Sequence, residues 1–163
     1  MRPFMEGELS TMRGPINPAS EQEIRDEHAA ARLCKTYALA VDSLNEDMLR
    51  SLFDPAAPMK GTLSSGTASD YLGRLLDGLR NFSATMHSIL NQYVSIEGDE
   101  GHVWSYAVAY HVHKPENGGG LMVMGIQYRD SVERIADGWV ISSREVVRIF
   151  SDGPGVPSPI KHS

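Results

Sequence analysis

Cysteine is almost absent from this sequence: Cys34 is the only one among 163 residues. One thiol cannot form an internal disulfide, and this usage is typical of a protein from a reducing compartment. The chain also lacks an apolar run of membrane-spanning length, and its first residues lack the uninterrupted apolar core of a signal peptide. A cytoplasmic protein with no membrane partner is therefore expected.

Positive charge is scarce as well. The 15 lysines and arginines are outnumbered by 21 aspartates and glutamates, which gives a formal net charge of −6. Because the sequence has neither a basic stripe nor an RNA-binding aromatic signature, nucleic acid is not expected as a partner. The length fits one domain with a sizeable core.

Three helices are predicted in the first half of the chain. Ser20 begins a capping-box sequence, and the apolar stripe behind it predicts a helix to about residue 44. Asn45 is a suitable N-cap for a short helix over residues 46–53. Leucines at helical spacing predict a third helix over residues 69–82.

The second half alternates strand-like segments with turn sequences. Four such segments occupy residues 84–96, 102–114, 121–135 and 139–150, and a weaker one lies at residues 59–63. The turns "EGDEG", "PENGGG" and "ADG" are typical of antiparallel hairpins. Helices first and strands afterwards predict an α+β fold, in which one curved antiparallel sheet packs on three N-terminal helices.

This predicted domain covers residues 20–152. Residues 1–19 hold proline, glycine and scattered charges without periodicity, so they are interpreted as a flexible N-terminal arm. Residues 153–163 are rich in proline and glycine and are interpreted as an exposed C-terminal tail.

A histidine and an aspartate are the first candidates for chemistry. His87 lies in a strand-like segment on the same parity as Ile89, Asn91 and Tyr93, so these four side chains would face one space. Asp42 lies beside the apolar stripe of the first helix, where a carboxylate is costly unless it is paired. If the sheet packs on this helix, Asp42 would orient the His87 ring as in a general-base dyad. The alternatives are a core histidine and a helix-end aspartate that starts a turn.

Four further side chains have two interpretations each. Tyr37 shares the apolar stripe of the first helix, where a tyrosine is usually part of the core. His111 and His113 share one strand face and could ligate a metal, but the spacing of a metal-binding cupin is missing, so no metal is expected. The other interpretation is that His113 is a solvated residue at the rim, next to the turn, and that His111, one step deeper, is an active-site residue. Arg144 would bind an anionic substrate group or pair with an acidic residue across the sheet.

Four segments together resemble the SnoaL-like branch of the nuclear-transport-factor-2-like superfamily: "YALAVDSLNEDML", "ATMHSILN", "YAVAYHVHK" and "YRDSVERIADGWVISSREVVRIF". The resemblance extends over roughly residues 20–152. It implies a cone, in which a strongly curved antiparallel sheet is closed by three helices around a deep pocket.

Within this branch the pattern is similar to cofactor-independent lyases, namely scytalone dehydratase, bile acid 7α-dehydratase and hexachlorocyclohexane dehydrochlorinase. These enzymes share an aspartate at the end of the first helix and a histidine in a "TxH" strand, which implies that Asp42 and His87 are catalytic. Tyr37 matches a tyrosine of the bile acid enzyme, and His111 matches a histidine of scytalone dehydratase. Arg144 lies within one residue of a functional arginine of the dehydrochlorinase.

The expected function is that of a dehydratase-type lyase or an isomerase that acts without a cofactor on a small hydrophobic, cyclic substrate. His87, oriented by Asp42, would remove a proton, and Tyr37 and His111 would hydrogen-bond a carbonyl oxygen or a departing hydroxyl. The residues predicted to contact the substrate are Asn91, Tyr93, Met124 and Arg144. The alternative is a non-catalytic carrier of hydrophobic ligands, or a structural subunit similar to the small subunit of an aromatic-ring dioxygenase.

The resemblance also implies association through the outer face of the sheet, as a homodimer or homotrimer. An apolar row lies on the strand face opposite His111 and consists of Trp104, Tyr106, Val108 and Tyr110. We expect this row to be covered, either by the third helix or by a second subunit.

Overall fold

Residues 20–62 and 64–155 are described by a computed structural model of the chain. The predicted N-terminal arm lies outside the described residues, as does the predicted tail from residue 156 onward. In chain order the elements are helix α1 (Glu21–Asp42), helix α2 (Glu46–Arg50), strands β1 (Pro58–Lys60) and β2 (Ser65–Thr67), helix α3 (Ala68–Leu79), and strands β3 (Phe82–Glu97), β4 (Glu100–His113), β5 (Leu121–Ile135) and β6 (Gly138–Asp152).

Helix α1 begins at the predicted capping box. The Ser20 hydroxyl accepts a hydrogen bond from the Glu23 N–H, and the Glu23 carboxylate accepts one from the Ser20 N–H. The buried side chains of the helix include Leu33, Tyr37 and Val41, which belong to the predicted stripe.

Helix α2 has the predicted N-cap but is shorter than predicted. The Asn45 side chain accepts a hydrogen bond from the Met48 N–H, as an N-cap does. The helix ends at Arg50 because the chain beyond it pairs with strand β6. There the Ile141 N–H donates to the Leu52 carbonyl at 2.8 Å.

The four long strands form an antiparallel sheet in which each strand pairs with its neighbour in sequence. The complete strand order is β2-β1-β6-β5-β4-β3. Strand β1 runs parallel to β6, with Met59 opposite Arg144, so the sheet is mixed and not wholly antiparallel as predicted. The sheet is curved and unclosed, and the three helices pack on it as the α+β prediction requires.

A β-bulge in strand β3 changes which residues face the helices. Ile89 pairs with Ala107, but the next pair joins Gln92 to Ser105, so β3 has one extra residue in this interval. Before the bulge the odd-numbered residues face the helices, and after it the even-numbered residues do. Asn91 and Tyr93 are therefore exposed on the outer face, and the prediction that they share the face of His87 is wrong.

The core lies between helix α1 and the inner face of the sheet. It includes Cys34 and Val41 from the helix and Ala107, Tyr128 and Ile141 from the strands, all almost completely buried. None of the helices in residues 20–62 and 64–155 combines the length and hydrophobicity that a transmembrane segment needs.

Candidate active site

A cavity of about 330 Å³ lies between helix α3 and the inner face of the four long strands. Its lining residues on α3 include Leu75 and Leu79, and its floor is formed by residues of all four strands. The strand register determines that floor: His87 lies opposite Ala109, and Ala109 lies opposite Met124. The small side chain of Ala109 leaves space between the larger neighbours on either side.

Asp42 and His87 are in direct contact at this cavity. Asp42 Oδ1 lies 2.7 Å from His87 Nδ1, and Asp42 Oδ2 accepts a hydrogen bond from the His87 backbone N–H at 2.8 Å. The Thr85 hydroxyl donates to Asp42 Oδ1, also at 2.8 Å. The proximity predicted from the sequence is therefore present, and three donors hold the carboxylate in one orientation.

The position of Asp42 is unfavourable for helix α1 alone. As the last residue of the helix, it places a carboxylate near the negative end of the helix dipole, which costs about 0.3–1 kcal/mol. Burial also raises the pKa of Asp42, but the hydrogen bonds from His87 and Thr85 outweigh it and hold the pKa below its ordinary value. The carboxylate is therefore ionised at neutral pH and compensated by contacts with strand β3.

An ionised carboxylate fixes the tautomer of His87. A carboxylate only accepts hydrogen bonds, so the hydrogen of the neutral ring has to be on Nδ1. The unprotonated nitrogen is then Nε2, on a ring whose side chain is 7% exposed and lines the cavity. This arrangement presents a base to a ligand in the cavity.

His111 lies beside this pair. Its ring centroid is 5.5 Å from that of His87, with the two rings nearly perpendicular, and the residue is 6% exposed. Burial and the neighbouring His87 lower the pKa of His111 to about 4, so the ring is neutral at pH 7. Within the described part of the chain its Nδ1 has no hydrogen-bond partner.

Tyr37 belongs to the buried part of the cavity lining. Its ring packs against Tyr128 with centroids 5.3 Å apart, and the Arg144 guanidinium carbon lies 4.1 Å from the ring centroid. Burial raises the pKa of both tyrosines, so their hydroxyls stay protonated over the neutral range. Tyr37 is thus a core residue that also lines the cavity, and the two interpretations of it are compatible.

Of the four predicted substrate contacts, Met124 is placed in the cavity lining. Asn91 and Tyr93 lie on the other face because of the bulge. Arg144 is completely buried, and its Nε and Nη2 donate to the two carboxylate oxygens of Asp130 at 2.6 and 2.7 Å. It does not line the cavity, so the structural interpretation of Arg144 applies and the substrate-binding one does not.

Sequence reasoning missed several residues of the site. Thr85 is the first residue of the "TxH" segment, and its parity with His87 places it beside Asp42. Tyr71 and Tyr128 line the cavity, but an aromatic residue in an apolar pattern gives no signal that separates core from pocket.

Across residues 20–62 and 64–155, no group of three or more His, Cys, Asp or Glu side chains is arranged to hold a metal ion. His87, His111 and the apolar lining around them instead form an environment suited to an organic ligand.

Comparison with known proteins gives a family assignment. The family model for the SnoaL-like domain matches residues 22–145, which is most of the chain. No significant match was found among functionally curated proteins.

Solved structures with the same fold are numerous. A scytalone dehydratase, provisionally so described, from Novosphingobium aromaticivorans is 21% identical, with a TM-score of 0.77 over 89% of this chain and 99% of that one. The Kfla4162 protein of Kribbella flavida is 23% identical, with a TM-score of 0.74 over 80% and 95% of the two chains. Hexachlorocyclohexane dehydrochlorinase LinA-type3 from Novosphingobium barchaimii is 12% identical, with a TM-score of 0.71 over 86% and 97%. At these identities the likeness shows the fold.

Proposed function

Because the chain belongs to the SnoaL-like domain family, we propose that it is a cofactor-independent lyase of dehydratase type, or an isomerase, and that its substrate is small, hydrophobic and cyclic. The observation that carries the proposal is the 2.7 Å contact between Asp42 and His87 at an open, mostly apolar cavity. Two of the structural neighbours are described as a dehydratase and a dehydrochlorinase, and both names refer to elimination reactions.

The proposed reaction starts with proton removal by His87. Nε2 takes a proton from the carbon next to a carbonyl, and the electron pair of that C–H bond becomes the enolate. The enolate then expels a hydroxyl from the adjacent carbon, and the new C=C bond is conjugated with the carbonyl. His87 returns its proton to the departing oxygen, so the products are water and the unsaturated ketone. In an isomerisation the same proton returns to another carbon.

Asp42 supports both proton transfers. Its negative charge stabilises the imidazolium that forms when His87 takes the proton, and its hydrogen bonds keep the ring aimed into the cavity. General acid–base catalysis of this kind contributes roughly 10²–10⁴-fold to the rate, so binding in the cavity has to supply the orientation.

His111 and Tyr37 are the proposed partners of the substrate oxygens. His111 is neutral, lies next to the base and has a ring nitrogen without a protein partner in the described residues. A buried polar atom of this kind is satisfied when a ligand supplies the hydrogen bond. Tyr37 stays protonated and borders the same cavity, so it is available as a hydroxyl donor.

The alternative is a non-catalytic carrier, which needs the cavity but not the Asp42–His87 pair. It is favoured by the composition of the lining, in which aliphatic and methionine side chains such as Leu75, Met122 and Ile126 predominate. A purely structural subunit would need neither feature, and the open cavity of about 330 Å³ argues against it.

A turnover screen tests the proposal. Cyclic β-hydroxyketones with one or two rings are incubated with the wild-type protein and with the His87→Gln variant, and the conjugated enone is followed by its ultraviolet absorbance. We expect dehydration of at least one compound by the wild type alone. Tight binding of these compounds without any dehydration would favour the carrier.

A further inference from the structure

The burial of the lining residues shows where the cavity opens. Tyr37, Tyr128 and His111 belong to the buried part of its lining. Thr62, Ser64, Arg74 and Gly78 are exposed and mark its mouth, between the loop that precedes strand β2 and one side of helix α3. Arg74 and the hydroxyls of Thr62 and Ser64 thus belong to the exposed part of the lining, whereas His87 and His111 belong to its buried part.

Arg74 is the one formally charged side chain among the cavity-lining residues that the structure describes. Its Nη2 donates to the Ser65 carbonyl at 3.1 Å, which holds the guanidinium at the mouth. Asp70, one helical turn earlier, accepts a hydrogen bond from the Thr67 hydroxyl at 3.1 Å, and no ion pair found among the described residues includes Arg74. By contrast, Arg50 pairs with Glu46 at 2.8 Å and Arg80 pairs with Asp77 at 2.6 Å.

We propose that the substrate of this site is an acidic amphiphile, with a ring-sized apolar body and an anionic group, such as a carboxylate, bound by Arg74 at the mouth. The five N–H donors of a guanidinium suit a carboxylate, and the hydroxyls of Thr62 and Ser64 flank the same opening. The chain has a net charge of −6, so a local cation is needed to attract an anion here. The inference rests on the proposed function only for the statement that the reacting end of the substrate lies at His87.

The test uses two probes that cannot undergo the elimination, so that binding is measured separately from turnover. Naphthylacetic acid and naphthylacetamide share size and shape and differ in charge at neutral pH. Their dissociation constants are measured by calorimetry with the wild type and with Arg74→Gln and Arg74→Lys variants. The Arg25→Gln variant is the matched control, because it removes the same charge from an exposed arginine outside the cavity.

We expect the wild type to bind the acid about tenfold more tightly than the amide, as for an exposed charge-assisted hydrogen bond. Arg74→Gln should abolish this preference without weakening the amide, Arg74→Lys should retain part of it, and Arg25→Gln should leave it intact. Equal affinity of the wild type for both probes, or failure to bind the acid, would overturn the inference. So would an equal loss of both ligands in Arg74→Gln.

The inference and the proposed function can fail separately. A preference for the acid without turnover of any hydroxyketone would support the role of Arg74 and argue against the lyase. Turnover of neutral hydroxyketones without a preference for the acid would support the lyase and overturn the role of Arg74.

Discussion

At the scale of single residues, the site depends on a compensation between two unfavourable placements. Asp42 is a carboxylate at the negative end of a helix, and His87 is an imidazole on the concave face of a sheet. The hydrogen-bonding needs of both residues are met by each other, because the Asp42 carboxylate is hydrogen-bonded to the ring and to the backbone N–H of His87. This arrangement is the one that the proposed general-base role requires.

The Asp42→Asn variant tests this explanation. An asparagine amide would donate to His87 Nδ1, which places the ring hydrogen on Nε2 and removes the base from the cavity. We expect the fold to be kept and the dehydration rate to fall roughly 10²–10⁴-fold. Circular dichroism provides the folding control, and a variant with near wild-type activity would contradict the assigned role.

His111 provides a prediction about pH and stability. Its pKa is lowered to about 4 in the folded protein, while the unfolded chain has the ordinary value of 6.5. Between these values the unfolded chain binds more protons, so the free energy of unfolding decreases as the pH falls from 6.5 to 4. A shift from 6.5 to about 4 corresponds at most to roughly 3–4 kcal/mol.

Urea denaturation at several pH values measures this effect. The decrease should be smaller in His111→Gln, which keeps Asp42 and His87 and so isolates the contribution of His111. Identical pH profiles for the two proteins would contradict the placement of a neutral, buried His111.

At the scale of elements, strands β5 and β6 contribute a buried ion pair that packs against side chains of the cavity lining. Arg144 is fixed by both carboxylate oxygens of Asp130, and its guanidinium lies against the rings of Tyr37 and Tyr128. The arginine therefore supports two cavity-lining side chains without lining the cavity itself.

Substitution of Arg144 should affect stability first. In Arg144→Gln the Asp130 carboxylate would stay buried without its partner, and we expect the free energy of unfolding to fall by about 3–5 kcal/mol. The double variant Arg144→Met with Asp130→Leu should recover much of this loss, because no charge is left buried. Chemical denaturation measures both effects, and a loss below about 1 kcal/mol in Arg144→Gln would contradict a structural role.

Local patterns in the sequence predicted the elements well and their mutual placement less well. The caps at Ser20 and Asn45 and the hairpin turns depend on neighbouring residues, so they could be identified directly. The parallel pairing of β1 with β6 joins residues far apart in sequence, and no local signal specifies it.

The candidate site was predicted only in part, because it too depends on contacts between residues that are far apart in sequence. Asp42 and His87 were linked by the family resemblance and by the expectation that helix α1 packs on the sheet. Asn91 and Tyr93 were misplaced because one extra residue in a bulge reverses the alternation of a strand, and alternation was the basis of that prediction. The role of Arg144 could not be decided from the sequence, because it depends on the ion pair with Asp130, which lies on another strand.

At the scale of the whole molecule, the outer face of the sheet is unusually apolar. Trp104 is buried, partly beneath the Arg129 guanidinium, and Tyr106, Val108 and Tyr110 are half-buried. On the neighbouring strands of this face Met86, Leu90 and Phe150 are 54%, 53% and 50% exposed. A surface of this kind is typical of a subunit interface.

We propose that this outer face mediates a homodimer or homotrimer. Sizing chromatography with light scattering should give a mass two or three times the 17.9 kDa of the chain. The Leu90→Asp variant should dissociate, because it places a charge in the interface, whereas Leu39→Asp, at an equally exposed leucine of helix α1, should not. A monomeric wild type at micromolar concentration would refute association.

Hydrogen exchange into a bound ketone tests the central claim, that Asp42 and His87 act together as a general base. A cyclic ketone without a leaving group is incubated in deuterated water with the wild type, His87→Gln and Asp42→Asn, and incorporation at the α-carbon is followed by NMR. We predict exchange catalysed by the wild type, none above buffer in His87→Gln, and exchange slowed roughly 10²–10⁴-fold in Asp42→Asn. Binding of the ketone by all three proteins without exchange above buffer, or an equal rate in wild type and His87→Gln, would contradict the account.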